Sequence, residues 1–274
     1  MEWILGEFIC KQALIKKNGR KPVLSTTALI GHKPEKCSVS FKKMIDFDSL
    51  IFSRFENMKK SIALYLVFLL AFTASFGQQH PFEAEVRLLS QRLDSLGWSS
   101  GGTVFTGSST IKLWRSLPEI TQGKEVLNTG FGGSKAADLE RYLYPLVLKF
   151  DPKRVFIYEG DNDLWADVPA EEILNSLNQI VNRIHLVDPQ TEIILIGAKP
   201  SPSRWEKKEA YLTFNRLLSA YCEQKENVDY LDTWKALTDS SGSPRPELYI
   251  KDQLHLNEAG YKIWEQIFVP FFAK

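Results

Sequence analysis

Thr103–Trp114, TVFTGSSTIKLW, changes its hydrophobic period halfway along. Val104 and Phe105 form a short apolar run of the kind that makes a buried parallel strand. Thr106–Gly107–Ser108–Ser109 break that run with small residues, and Ile111–Lys112–Leu113–Trp114 resume at helical spacing. The reading is a strand, a tight turn and a helix start, with a hydroxyl at the turn. A serine there stands at the carboxyl edge of a sheet with its own N–H beside a helix N-terminus. Such a place suits a nucleophile next to an oxyanion site. Read alone, the same serine is first of all a helix cap.

The alternation continues outward from this stretch. Upstream, Phe82, Val86, Leu89 and Leu96 recur at helical intervals up to Gly97. Downstream, Val126–Leu127 is a second strand running into the turn Asn128–Ser134, and Ala136 to Phe150 reads as one helix stopped by Asp151–Pro152. Val155–Tyr158 is a third strand, closed by Glu159–Gly160–Asp161–Asn162–Asp163. A long amphipathic helix follows from Ala170 to Val187. Ile193–Ile196 is a fourth strand, leading through a loop to Trp205, a helix from Ala210 to Lys225 and a fifth strand, Val228–Leu231. The last helix begins near Asn257 and buries Ile263, Trp264, Ile267 and Phe268. Strands alternating with helices in this way predict an α/β fold: a three-layer α/β/α sandwich with a five-stranded parallel, flavodoxin-like sheet. In such sheets ligands meet the carboxyl ends of the strands. The polar turns at 106–109, 130–134, 159–163 and 197–205 all fall there.

The first third of the chain has a different character. Met58–Lys59–Lys60 precedes an uncharged apolar stretch, Ile62 to Phe76, and Ser75 and Gly77 supply small residues at a cleavage site before Gln78. This predicts a signal peptide over 58–77, since the run is shorter than the ~20 residues of a membrane span. Residues 1–57 carry 10 Lys/Arg against 6 Asp/Glu with no sustained period, and are expected to be a disordered, mis-called extension ahead of a true start at Met58. The rival reading is a type II anchor with a basic cytoplasmic tail. Residues 78–274 form the expected mature domain, periplasmic or extracellular, with no stable membrane insertion after cleavage. That segment holds 22 Lys/Arg and 27 Asp/Glu, a formal charge of 22 − 27 = −5, so no basic face points to nucleic acid. Its single cysteine, Cys222, forms no internal disulfide, and no Cys/His spacing suggests a metal. No cofactor is expected.

A serine mechanism also needs a base. His80 lies at the terminus and His185 near the end of a surface helix, whereas His255 follows Asp252 by three residues, just before the last helix. One turn of chain can fold that carboxylate onto Nδ1 and leave Nε2 for a hydroxyl. A helix-capping Asp/His pair is the plainer alternative. Gly107–Ser108–Ser109, Gly133, Gly160–Asp161–Asn162–Asp163 and Asp252–Gln253–Leu254–His255 follow the first three strands and precede the final helix in that order. Together they resemble the SGNH, or GDSL-like, hydrolases over nearly all of residues 100–270. The resemblance implies Ser109 as nucleophile, Asp252 and His255 as acid and base, and Ser109, Gly133 and Asn162 as the oxyanion hole. Gly132 is the adjacent alternative to Gly133. One departure stands out: Ser108 occupies the place of the family's Asp, which removes a carboxylate beside the nucleophile.

Three other motifs are weaker. Ser109-x-x-Lys112 lacks an accompanying K-T-G, Gly130-x-Gly132 has Lys135 where a dinucleotide loop needs glycine, and no G-x-S-x-G elbow occurs. Trp165 and Trp205 are candidate substrate-binding aromatics, while Trp114 reads as core. With no long lid insertion, the expected site is open and shallow. It suits small acyl esters such as acetyl groups on carbohydrate, with lysophospholipid or other lipid esters as the alternative. A non-catalytic glycan binder on the same fold is the reading from a different class.

Overall fold

In the computed structural model the described residues are 52–66, 80–98, 100–121 and 124–272. The chain divides into two units, Met1–Gln78 and Gln79–Lys274. In the first, residues 52–66 are helical, and Ile62, Leu64, Tyr65 and Leu66 are exposed on it. The described helix therefore includes the six residues ahead of Met58, inside the segment expected to be disordered. The rest of that segment, and residues 67–77 of the expected signal peptide, lie outside the described residues.

The second unit is built on five parallel strands: β1 (Thr103–Gly107), β2 (Val126–Asn128), β3 (Arg154–Tyr158), β4 (Glu192–Ile196) and β5 (Val228–Leu231), in the order β2-β1-β3-β4-β5. All four pairings are parallel. The chain winds outward from β1 in both directions, as expected for a doubly wound sheet. The central strands are buried on both faces, and their side chains alternate between two cores. Val104, Val155, Ile157, Ile193 and Leu195 face an aliphatic layer covered by helices α1 (Glu83–Asp94), α4 (Ala136–Arg141), α5 (Leu143–Leu146), α7 (Ala170–Val187) and α8 (Lys208–Cys222). Phe105, Phe156, Tyr158, Ile194 and Ile196 face the other layer, beneath α2 (Ser109–Lys112), α3 (Leu117–Ile120) and α9 (Glu258–Phe268). That second layer is aromatic. Phe105 stacks on Phe156 at 4.2 Å, and Trp114 meets Trp264 and Phe268 edge-on at 5.6 and 4.9 Å.

Helix α6 (Asp161–Trp165) follows β3 directly. The helix expected over Ala136–Phe150 is instead divided at Tyr142 and ends in a 3₁₀ turn, Leu148–Phe150. Pro145 explains the break: it has no N–H for the Arg141 carbonyl, and its ring crowds that carbonyl. The last helix starts as expected, with Asn257 as its N-cap accepting from the Gly260 N–H at 3.0 Å.

Candidate active site

Four loops meet at the carboxyl edge of the sheet. The first is the β1–α2 turn. Gly107 has φ +133° and lies so close to the Tyr158 carbonyl that a Cβ would sit 2.1 Å from its oxygen, so only glycine fits. Ser109 then opens α2, and its N–H is one of the first-turn donors that no carbonyl within a helix can take. Ser108, at the position where the resemblance implies Asp, is buried. It donates its N–H to Tyr158 O at 3.1 Å and accepts at its carbonyl from Ile111 and Lys112, while its side chain makes no capping bond. The backbone braces this turn.

The second contributor comes from the far end of the chain. The Asp252–His255 loop is closed by the antiparallel bridge Tyr249–Leu256 and by Gln253 in the left-handed region at φ +57°. Asp252 Oδ1 accepts the N–H groups of Leu254 and His255, and Oδ2 lies 2.6 Å from His255 Nδ1. Partial burial opposes ionisation of Asp252, but these bonds from His255 and Leu254 outweigh it and hold the carboxyl at about 2. An ionised carboxylate only accepts, so Nδ1 carries the proton and Nε2 presents a lone pair. That Nε2 lies 2.9 Å from Ser109 Oγ, across 146 residues of sequence.

The third and fourth loops, β2–α4 and β3–α6, are bonded to each other. Asn162 Nδ2 donates to Ser134 O at 2.9 Å, Ser134 Oγ donates to Glu159 at 2.7 Å, and the Ala136 N–H reaches Asp163 at 3.1 Å. Gly133, one residue before Ser134, is exposed with φ +81°. The neighbouring Gly132 N–H is taken up by Glu85 of α1 at 3.2 Å, and Glu85 also holds Lys112 of α2. Of the two adjacent glycines, Gly132 thus has its donor engaged away from the Ser109 turn.

Beneath these loops lies an ionic cluster. Asp161 is buried and accepts from Tyr158 OH, Tyr211 OH, Lys199 and Arg204. Burial works against its charge, yet the Lys199 and Arg204 cations and the two hydroxyls keep its pKa well below the usual carboxylate range. Two further carboxyls go the opposite way. Burial, then the nearby Asp163, push Glu159 well above its ordinary value, and burial lifts Asp163 to about 6 despite its backbone hydrogen bonds.

Ser109, His255 and Asp252 thus form one hydrogen-bonded line. The loops bearing Gly133 and Asn162 are joined beside it. Trp165 is exposed at the end of α6, with the cations of Arg204 and Lys207 at 5.5 and 5.1 Å from its ring. Trp205 turns elsewhere: it stacks on Trp234 at 5.9 Å and is covered by Lys208, with no bond to Ser109, Asn162 or His255 among the described contacts. Trp114 is core. Sequence reasoning missed Arg204, Lys199, Glu85 and Ser134. Each acts through a partner distant in sequence, and none carries a local motif. No group of metal-ligating side chains occurs among the described residues.

A five-stranded parallel sheet with polar loops gathered at its carboxyl edge is an architecture that acylhydrolases use. The sequence model of the GDSL-like Lipase/Acylhydrolase family matches residues 94–263, more than half of the chain, and the protein belongs to that family of ester hydrolases. Among curated relatives, platelet-activating factor acetylhydrolase IB subunit alpha2 of Bos taurus and of Homo sapiens is 29% identical over 168 residues. That alignment covers 58% of this chain and 70% of the relative. Among solved structures, a GDSL-like lipase from Bacteroides thetaiotaomicron superposes with a TM-score of 0.60 at 18% identity, covering 69% of this chain and 98% of the other. An acetylxylan esterase from Geobacillus stearothermophilus gives 0.54 at 19% identity, covering 64% and 95%. At these identities the two structures carry the fold.

Proposed function

We propose that this protein is an exported serine esterase that hydrolyses small acyl esters, acetyl esters of carbohydrate foremost, with Ser109, His255 and Asp252 as its triad. The observation that carries this reading is the unbroken line from Asp252 through His255 to the Ser109 hydroxyl, at 2.6 and 2.9 Å.

In the acylation step His255 Nε2 takes the Ser109 proton as Oγ bonds to the acyl carbon. The carbonyl electrons move onto oxygen, where the N–H groups of Ser109 and Gly133 and the Asn162 amide receive the charge. Collapse of that adduct expels the alcohol, which leaves with the proton held on His255. Water then repeats the sequence on the acyl-serine, releasing the acid and restoring Ser109. Asp252, ionised throughout, holds the ring in the tautomer that both steps need. Loss of one oxyanion donor, as in Asn162→Ala, lowers kcat by ~10²-fold.

The substrate class is supported by the exposure of the rim. Gly133, Trp165 and Asp252 are exposed and Ser109 and His255 half-buried, an open shelf that gives a long acyl chain little to bury. The acetyl groups named for two of the relatives agree with a short acyl chain. A panel of p-nitrophenyl esters tests the choice. Acetyl and butyryl esters are expected to turn over faster than octanoyl, and Ser109→Ala to lower kcat by at least ~10³-fold. An octanoyl preference would favour the lysophospholipase alternative, and activity that survives Ser109→Ala would remove Ser109 as nucleophile. Export rests on the basic and apolar segments before Gln78. N-terminal sequencing of the protein recovered outside the cytoplasm is expected to begin at Gln78, and retention of residues 1–57 would overturn it.

A further inference from the structure

Among the described residues, Arg204 is the one side chain that reaches both the buried Asp161 and the Asn162 amide. Its guanidinium donates through Nη1 to Asp161 O at 2.9 Å and to Asp161 Oδ1 at 2.6 Å, and through Nη2 to Asn162 Oδ1 at 3.0 Å. It lies in the 3₁₀ turn Pro202–Lys207, where its own φ/ψ of −117°/15° leaves the helical region. The preceding Ser203 N–H bonds the Gln253 carbonyl of the Asp252–His255 loop at 3.1 Å. The same turn therefore touches two of the loops that form the site.

The chemistry of the donors decides what this does. The oxygen and NH₂ ends of an asparagine amide have nearly the same shape, so packing alone does not choose which end faces a ligand. A guanidinium has donors only, and can meet Asn162 only at Oδ1. On the other side, the Ser134 carbonyl has only lone pairs and can meet only Nδ2. Together the two partners exclude the flipped amide and leave the second Nδ2 hydrogen free. Arg204 cannot leave easily either, since it is almost fully buried and ion-paired to Asp161.

We infer that Arg204 is a positioning residue for the esterase reaction, locking the Asn162 amide with its NH₂ toward the developing oxyanion. The inference rests on the esterase reading above. A lysine at 204 can keep a cation beside Asp161 but has no rigid fork to hold Asn162 as well.

The test is a double-mutant cycle of Arg204→Lys, Asn162→Ala and the double variant, assayed on p-nitrophenyl acetate with the full-length protein, with folding checked by circular dichroism. Arg204→Lys is expected to lower kcat ~10-fold with KM within ~2-fold, and to change nothing further in the Asn162→Ala background. Multiplicative losses would mean that Arg204 supports the loops generally, and a raised KM with unchanged kcat that it contacts substrate; either result overturns the inference. Unchanged kinetics in Arg204→Lys would also overturn it. So would failure of both Arg204→Lys and Arg204→Gln to fold, which would make Arg204 a residue of the fold alone. Absence of any Ser109-dependent turnover in the wild type would instead remove the esterase reading, and this inference with it.

Discussion

Asp163 sits between structure and chemistry. Its carboxylate accepts the Ala136 N–H and so pins the β2–α4 loop, but it does so from a buried position close to Glu159. In the folded protein its pKa is about 6, against an ordinary 3.8. The folded state thus holds a proton between those values that the unfolded state has released. Stability is greatest below the lower value and falls as pH rises toward the upper one, by on the order of 3 kcal/mol if the group acted alone. Glu159, raised for the same reason, adds to the fall at higher pH. Asp163→Asn keeps an oxygen for the Ala136 N–H and removes the titration. Urea unfolding from pH 4 to pH 8 is therefore expected to show a flatter profile in Asp163→Asn than in the wild type, and an equal slope would show that Asp163 does not titrate in this window. Asp252 behaves in the opposite sense. Held at about 2, it keeps its charge through the whole of that range.

At the scale of elements, the turn from β3 into α6 carries the most constraint. Gly160 adopts φ +107°, and a Cβ there would stand 2.7 Å from the Phe214 ring of α8. Gly160→Ala must therefore both strain the backbone and push α8 aside. A loss of about 2 kcal/mol or more is expected from these two effects, read as a lowered urea midpoint, with kcat reduced as the Asn162 loop shifts. Gly133→Ala makes a useful contrast: its φ is +81° but nothing lies within 4 Å of the added carbon, so only the backbone term of ~1–2 kcal/mol applies. The same scale explains where the helix reading was too simple. Apolar periodicity runs unbroken from Ala136 to Phe150, and a single proline at 145 divides what periodicity joins.

Across the whole molecule the two faces of the sheet do different jobs. The aliphatic face carries the long helices, and the aromatic face seats Ser109, the proposed nucleophile. Trp114, one turn beyond Ser109, packs on Trp264, Tyr261 and Phe268 of α9, the helix that begins just after His255. The two halves of the proposed triad are thereby tied to one aromatic cluster. Trp264→Ala, at a fully buried position, is expected to cost about 3–5 kcal/mol and to lower kcat through loss of the Ser109–His255 register; a fall in the unfolding midpoint with kcat preserved would break that link. The sequence by itself determined the strand–helix alternation, the edge of the sheet where polar turns collect, and the order of Ser109, Gly133, Asn162 and Asp252–His255. Those are local properties, set by hydrophobic period, glycine conformation and short spacing, and they survive without knowledge of any neighbour. Only the tertiary structure decided how near Nε2 of His255 comes to Ser109 across 146 residues, that Gly132 is engaged by Glu85, that Trp205 stacks on Trp234, and that Arg204 clasps Asn162. The physical reason is common to all four. A hydrogen bond or ring contact is made with whatever the fold brings within reach, and no residue type or spacing in the chain encodes a partner that far away.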